Sequence, residues 1–187
     1  TVAVDDTCYE SGAGSRIAII DTGADVDHPS LDPDALKYAL QGSNATIMTE
    51  ADLTDEVLNQ LNAYTRKAGL TAADFYVNEK IPFGFNYVDA DTDITHDNDT
   101  QGDHGSHVTG IAAGNRFVKD EAGNYVAALD SVMTQGVAPD AQILTMKVFG
   151  KRGGAYDSDY MVAIEDAMVL GADAANLSLG GSFPGYS

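Results

Sequence analysis

The amino-acid sequence predicts an α/β fold: a doubly wound, mostly parallel sheet with helices on both faces. One observation is a continuous apolar run at residues 17–20 that ends in Asp21 and a glycine turn, a pattern typical of a buried parallel strand. A second is that further strand-like runs, at residues 83–88, 143–148 and 172–181, alternate with helical patterns. A third is that 187 residues, 44% of them hydrophobic, suffice for one domain with a substantial core.

Residues 30–80 differ in character from their surroundings and predict a helical insertion on the surface of the domain. Thr49 is expected to cap its main helix and Gly69 to end it. The apolar residues with helical spacing between them are Leu53, Val57, Leu61 and Tyr64.

The second half of the chain predicts a loop at the acidic residues 89–103 and another loop or irregular segment at residues 115–135. A helix is expected at residues 157–170, before the last strand. The residues expected to share its apolar face are Met161, Ile164, Ala167 and Met168.

Composition excludes several functional classes. With 29 acidic and 10 basic residues the formal net charge is −19, which repels nucleic acids and anionic membrane surfaces. No apolar run approaches the roughly 20 residues that span a bilayer, so no membrane span is predicted in this chain. The single cysteine excludes an internal disulfide framework. High acidity and low cysteine content favour an extracellular bacterial protein.

The stretch GDHGSHVTGIAAG contains two histidines that are candidates for chemistry. Zinc peptidases place two histidines four residues apart with a glutamate between them, whereas His104 and His107 are three apart across glycine and serine, so the spacing disfavours a metal site. Asp103 resembles a helix N-cap, which would place His104 at the positive end of a helix as a neutral proton acceptor. A carboxylate is then needed to orient the imidazole, and Asp21, at the carboxyl end of a central strand, is the expected partner.

His107 is expected to be a buried, hydrogen-bonded structural residue, because Gly110 and Gly114 would allow the helix to pack closely.

Four blocks of sequence, IAIIDTG, HGSHVTGI, GVAPDAQILTMKVF and ANLSLGG, resemble the subtilisin-like serine proteases in order and context. The resemblance implies that Asp21 is the aspartate of a Ser-His-Asp catalytic triad and that His104 is its general base. Asp21 and His104 are 83 positions apart (104 − 21), and this separation and the helical insertion look most like the bacterial cell-envelope proteases of the lactocepin and C5a-peptidase type, which implies a protein that is secreted or attached to the cell wall. Ser106 stands where the family more often has threonine.

The same resemblance implies protein or peptide substrates and two substrate-binding segments. Glycines suit such segments because an extended peptide needs close approach to the backbone. For Gly153 and Gly154 an ordinary turn is the alternative. The residues that resemble the edge pairing with the substrate backbone are Gly153, Gly154 and Ala155, and those that resemble the wall of the primary specificity pocket are Ser178, Leu179, Gly180 and Gly181.

The family's nucleophile motif, Gly-Thr-Ser, and the asparagine that donates to the oxyanion do not occur in the sequence. Ser106, Ser178 and Ser187 lack the glycine-elbow setting of a nucleophile. We therefore expect residues 1–187 to be the N-terminal part of a larger catalytic domain, with the nucleophile on a second chain or a further segment. The alternative is a catalytically incomplete fragment that binds peptides or a partner.

The acidic loop offers carboxylates for a structural calcium ion, although the chemistry implied by the resemblance requires no cofactor. The spacing departs from the EF-hand pattern, with no glycine at its sixth place and no glutamate at its twelfth, so a solvated loop is the alternative. The carboxylates considered are Asp89, Asp91 and Asp93, with Asp97 and Asp99 nearby.

Overall fold

The computed structural model describes residues 10–97 and 99–180. Its strands are β1 (Arg16–Asp21), β2 (Phe83–Asn86), β3 (Phe117–Lys119), β4 (Tyr125–Ala127), β5 (Gln142–Lys147) and β6 (Ala174–Asn176). Its helices are α1 (Pro33–Ala39), α2 (Asp55–Leu58), α3 (Asn62–Arg66), α4 (Ala72–Phe75), α5 (His104–Ala113), α6 (Ala128–Ser131) and α7 (Asp157–Val169), with 3-10 turns at Pro29–Leu31 and Glu50–Asp52.

Four strands form one parallel sheet in the order β2-β5-β1-β6, which confirms the predicted α/β class. Alternate residues of β1 point to opposite faces of this sheet. Ile19 packs on the face covered by α5, together with Val108 and Ala112. Ala18 and Ile20 pack on the other face. The sheet is therefore covered on both sides, and the carboxyl ends of its parallel strands share one edge.

The segment at residues 30–80 differs from the single surface helix that its spacing predicts. Asp52 accepts hydrogen bonds from the backbone and hydroxyl of Thr49, as expected of a cap, but the helix that Thr49 begins is only the 3-10 turn Glu50–Asp52. Thr54 then caps α2, its hydroxyl accepting from the Val57 N–H at 3.3 Å, so the chain restarts rather than continues. The apolar residues of the short helices lie in the main core rather than on the surface: Leu53, Leu58, Leu61, Ala63 and Phe75 are all buried there.

The carboxylate of Asp166, fully buried on α7, fastens α3 to the rest of the fold. It accepts hydrogen bonds from the backbone N–H groups of Asn62 and Ala63 at 2.7 and 2.9 Å, so it satisfies donors at the start of α3 from another helix. It also accepts from the Tyr87 hydroxyl at 2.9 Å. Burial, followed by the charge of Asp166, raises the pKa of Tyr87 well above its ordinary value.

The predicted apolar face of α7 is confirmed for two of its four residues, because Ala167 is buried and Ile164 packs against the same core cluster. Met161 and Met168 are 58% and 69% exposed, and the buried positions include Ala163 and Ala167. The inward face also carries Asp166, whose polar partners lie in the interior, so the buried face of the helix coincides only in part with the predicted one.

The segment at residues 115–135 is more ordered than the predicted irregular loop. β3 and β4 pair as an antiparallel hairpin, and α6 follows directly. Asp120 organises the turn between the strands, because its side chain accepts from the N–H groups of Ala122 and Asn124 at 2.9 and 2.8 Å.

Lys80 is fully buried at the amino end of the sheet. Its ammonium donates to the carbonyls of Pro139 and Ala141, both at 2.8 Å. Burial lowers the pKa of Lys80 to about 7, and the charge of Asp140 acts in the opposite direction.

In the part of the chain that the structure describes, none of the helices has the length and apolar character needed to pass through a lipid bilayer.

Candidate active site

Asp21 and His104 meet at the carboxyl edge of the sheet. The His104 Nδ1 atom lies 2.8 Å from the Asp21 Oδ1 atom, so the contact expected from the sequence is present. The Asp21 side chain is 1% exposed, whereas the His104 side chain is 51% exposed. Because an ionised carboxylate only accepts hydrogen bonds, Nδ1 carries a proton and Nε2 is the proton acceptor of the neutral ring. The arrangement is a half-exposed imidazole that is hydrogen-bonded through Nδ1 to a buried carboxylate.

Thr22 joins the strand end to the start of α5, a role that the sequence analysis missed. Its N–H donates to Asp21 Oδ1 at 2.7 Å, and its hydroxyl accepts from the Gly105 N–H at 2.8 Å. The same hydroxyl lies 3.4 Å from the Gly102 carbonyl, to which it donates. The residue after the aspartate therefore fixes both the carboxylate and the helix that carries His104.

Gly105 is the glycine that allows α5 to approach the strand end. A Cβ atom at this position would lie 2.2 Å from the Gly23 carbonyl oxygen, closer than any real contact. The glycine spacing of the sequence instead predicts close packing at Gly110 and Gly114. At Gly110 an added Cβ would meet nothing within 4 Å, whereas Gly114 is contacted by Gly136, whose added Cβ would lie 2.3 Å from the Gly114 nitrogen.

Asp103 occupies the N-cap position of α5, as expected, but its side chain does not cap the helix. Asp103 precedes the helix and its carbonyl accepts from the His107 N–H at 3.1 Å, but its side chain makes no capping hydrogen bond. The Gly105 N–H is instead satisfied by Thr22. Ser106 directs its hydroxyl to the loop after β1, where it accepts from the Asp25 N–H at 2.7 Å.

The prediction that His107 is buried is wrong. Gly105 and Thr109, four residues apart, are the buried positions of this stretch, so His107 lies on the outer side of the helix and is exposed. It lines a cleft of about 680 Å³ beside α5, together with His28 and Ile111.

A buried ion pair lies beside the Asp21–His104 contact and has no counterpart in the sequence predictions. The side chains of Lys147, at the end of β5, and Asp99, in the acidic loop, are 0% and 2% exposed and in direct contact. The Lys147 ammonium also donates to the Thr22 carbonyl at 2.5 Å. Lys147 is the register neighbour of Asp21 in the sheet.

The carboxylates of Asp89, Asp91 and Asp93 in the acidic loop are directed at Lys151. Asp91 and Asp93 face the Lys151 ammonium at 3.6 and 3.3 Å, and Asp89 accepts from the Lys151 N–H at 2.9 Å. The hydrogen bond to Asp93, followed by the charge of Asp91, raises the pKa of Lys151. Among residues 10–97 and 99–180, no three acidic, histidine or cysteine side chains are arranged to hold a metal ion. Calcium at Asp89, Asp91 and Asp93 stays a prediction, and as described these carboxylates are taken by a lysine.

Gly153 and Gly154, predicted to contact substrate, form a turn after β5 with φ angles of +73° and +111°. The Gly153 N–H donates to the Gly150 carbonyl at 2.9 Å. A Cβ at Gly153 would lie 2.4 Å from Nε2 of Gln101, so the turn packs against the loop that leads into His104. Ala155, next along the chain, is partly exposed. Their contact with substrate stays a prediction.

The second predicted substrate segment leaves the sheet at the edge where Asp21 ends β1. Asn176 pairs in register with Ile19, so the residues that follow each of them emerge at the same edge. Ser178 is exposed and its hydroxyl donates to the Asn176 side chain at 2.9 Å. Leu179 is partly exposed, Gly180 is exposed, and Gly181 lies outside the described residues.

Comparison with known proteins identifies relatives of the chain. The family model described as the subtilase family matches residues 12–186. The chain is 35% identical over 176 residues to the PI-type proteinase of Lactococcus lactis subsp. cremoris, an alignment that covers 90% of this chain and 8% of that protein.

Two further relatives are more distant in sequence. The chain is 29% identical over 178 residues to the C5a peptidase of Streptococcus pyogenes, covering 94% of the chain and 13% of the relative. It is 28% identical over 177 residues to the minor extracellular protease Vpr of Bacillus subtilis (strain 168), covering 92% and 14%. The chain thus spans only a small part of each of these relatives, but the match runs along nearly all of the chain, and we conclude that it belongs to the subtilase family.

Proposed function

We propose that this chain supplies the aspartate and the histidine of a Ser-His-Asp triad that hydrolyses peptide bonds. The observation that carries the proposal is the 2.8 Å contact between the buried Asp21 carboxylate and the half-exposed His104 ring. In such a triad the histidine removes the proton of the serine hydroxyl and later protonates the leaving amine, while the aspartate orients the ring and stabilises the imidazolium that forms. Membership of the subtilase family and the similarity to proteinases support the same reaction.

We place the nucleophilic serine and the asparagine that donates to the oxyanion on a segment outside these 187 residues, in the same polypeptide or on an associated chain. The absence of a Gly-Thr-Ser motif from the sequence supports this, as does the small share of each relative that the chain covers. Ser106 is a poor candidate because its hydroxyl is already bound to the loop after β1.

Protein or peptide substrates would bind along the edge of the sheet, between the turn at Gly153–Ala155 and the segment after β6. Both segments adjoin elements of the site: Gly153 packs against the loop before His104, and Ser178 follows the strand paired with β1. The net charge of −19 favours basic protein substrates through long-range attraction that salt would weaken. A secreted or cell-wall location is supported by the similarity to the minor extracellular protease of Bacillus subtilis.

The test uses the full-length protein in which this chain occurs. A serine-directed fluorophosphonate is expected to label it, and casein is expected to be hydrolysed without added cofactor. Asp21→Asn is expected to lower kcat by about 10⁴-fold and His104→Ala by about 10⁶-fold, because the first removes the orienting carboxylate and the second the base. The matched control is His107→Ala, one turn further along the same helix, which is expected to keep activity within about threefold of the wild type.

The proposal fails if the wild type neither reacts with the fluorophosphonate nor cleaves casein. Binding of casein peptides without cleavage would then identify a peptide-binding module instead.

A further inference from the structure

We propose that the buried ion pair between Lys147 and Asp99 positions the Asp21–His104 couple and keeps the charge around it balanced. The inference rests on the proposed function of that couple. Lys147 and Asp99 touch neither substrate nor reacting atoms in this scheme, so both are positioning residues.

Lys147 is built into the strand next to Asp21. Register neighbours on adjacent parallel strands point to the same face of the sheet, so Lys147 and Asp21 extend to the same side. The Lys147 stem passes beside the turn after β1, since a Cβ at Gly23 would lie 3.4 Å from its Cδ atom. Its ammonium then donates to the Thr22 carbonyl at 2.5 Å. The lysine therefore holds the backbone of the residue whose N–H binds the Asp21 carboxylate.

Asp99 fastens the loop that leads into His104. His104 follows Asp99 by five positions (104 − 99), and the backbone between them forms no helix or strand. Asp99 binds Lys147 at one end of this stretch, and the Thr22 hydroxyl binds Gly102 and Gly105 at the other. Lys147 and Thr22 are themselves hydrogen-bonded, so both attachments of the loop lead back to the end of the same two strands.

Charge gives the pair a second role. A buried ion pair is costly to form, and two apolar side chains of similar size often stabilise a fold equally well. Here the ammonium binds the carbonyl of the residue after Asp21, whose carboxylate the proposed triad needs in its ionised form, and Asp99 cancels the charge of the ammonium. Removing one partner would leave a buried charge of known sign next to Asp21 and His104. An unpaired ammonium disfavours the imidazolium form of His104, and an unpaired carboxylate favours it.

Other charged or titratable groups lie on the same elements, but they line the cleft beside α5 rather than the Lys147–Asp99 pair. Asp103 and His107 lie on or before α5, Asp25 lies in the loop after β1, and His96 lies in the acidic loop. All four stay unchanged in the variants below, so a change in pH dependence reports on the pair.

The experiment compares Asp99→Asn, Lys147→Met and the double variant in the full-length protein, using the pH dependence of kcat/KM on a peptide substrate. The acid-side midpoint is expected to fall by about one pH unit in Asp99→Asn and to rise by about one unit in Lys147→Met. The double variant is expected to return to within about 0.3 unit of the wild type, because no net charge is left. In each single variant kcat should fall about 10- to 100-fold while KM stays within about threefold, since the couple is displaced and the substrate edge is not.

Lys80→Met is the matched control, because Lys80 is equally buried but lies at the opposite end of the sheet. It should leave the midpoint unmoved even where it changes the unfolding temperature. If both single variants lose activity with the midpoint of the wild type, the pair is only structural and the proposal is overturned.

Titration of the His104 ring by NMR provides a readout that does not need turnover. Opposite displacements of the ring titration in the two single variants would support the positioning role even in a protein without peptidase activity, in which case only the proposed function fails. Identical titration curves in wild type and variants would overturn the positioning role whatever the activity.

Discussion

Gly105→Ala should disturb the candidate active site through a single methyl group. The new Cβ would lie 2.2 Å from the Gly23 carbonyl oxygen, where at least 3.0 Å is needed, and it would also lie 2.9 Å from the Gly23 nitrogen. Both obstacles are backbone atoms, so the start of α5 must retreat by about 1 Å. The His104–Asp21 distance would then grow from 2.8 Å to about 3.8 Å, beyond hydrogen-bond range.

The expected result is a loss of about 100-fold in kcat/KM for peptide hydrolysis by the full-length protein, because a misplacement of about 1 Å costs that much. Overpacking is expected to cost about 1–3 kcal/mol of stability as well, measured by urea unfolding. The control is Gly110→Ala on the same helix, where the new methyl meets nothing within 4 Å. It should keep full activity and gain about 0.5–1 kcal/mol from better helix propensity. Full activity in Gly105→Ala would refute the claim that close backbone contact sets the geometry of the couple.

Three further predictions concern stability and the support of the site. The pKa of Lys80 is lowered from 10.5 to about 7 in the folded state. Between these two pH values the unfolded chain binds more protons than the folded one, so the free energy of unfolding rises with pH. Urea unfolding should show a gain of about 2 kcal/mol from pH 7 to pH 9, and Lys80→Met should lack this gain. Asp166→Asn should lower the free energy of unfolding by about 2–4 kcal/mol in the same assay, because it weakens buried hydrogen bonds to a charged acceptor. Glu165→Gln, at the exposed neighbouring position, should lower it by less than about 1 kcal/mol. Equal losses in the two variants would contradict the anchoring of α3 by Asp166. Thr22→Val keeps the shape but leaves the Gly105 N–H without its acceptor, so kcat/KM should fall about tenfold, and an unchanged value would show that the hydroxyl does not hold the helix start.

The parts of the site that follow from local pattern could be predicted. A buried parallel strand is apolar along its whole length, so residues 17–20 identify β1, and the position of Asp21 at its end follows directly. The start of α5 at His104 follows from the glycine-rich motif. The meeting of the two residues follows from the expectation that functional groups collect at the carboxyl edge of such a sheet.

The parts that depend on distant contacts could not be predicted. Lys147 lies at the end of a strand, where a lysine usually faces solvent, and its partner Asp99 is 48 residues away (147 − 99) in a loop with many equivalent aspartates. Nothing in the local pattern distinguishes Asp99 from Asp97. The prediction that His107 is buried is wrong for a related reason. Histidine is compatible with both faces of a helix, and the close backbone contact between Gly105 and Gly23 determines which face of α5 is buried.

The prediction of one surface helix at residues 30–80 is wrong because several short helices share the buried apolar side chains there. Each contributes one or two apolar side chains, and capping residues such as Thr54 interrupt the longer periodicity. A long amphipathic helix and a series of short capped ones can present the same apolar spacing, and only the packing partner separates them.

Removing the short helices α2, α3 and α4 to shorten this protein would also remove the buried side chains of Leu58, Leu61 and Phe75. These side chains share one side of the β-sheet with α7, and the Phe75 ring lies 5.4 and 5.7 Å from the rings of Phe83 and Phe85, so excision would expose these two β2 residues to water and favour aggregation. A minimised version has to spare them and take residues from the solvent-facing stretch 41–44. A segment whose sequence predicts a surface insertion therefore contributes side chains to the main core of this protein.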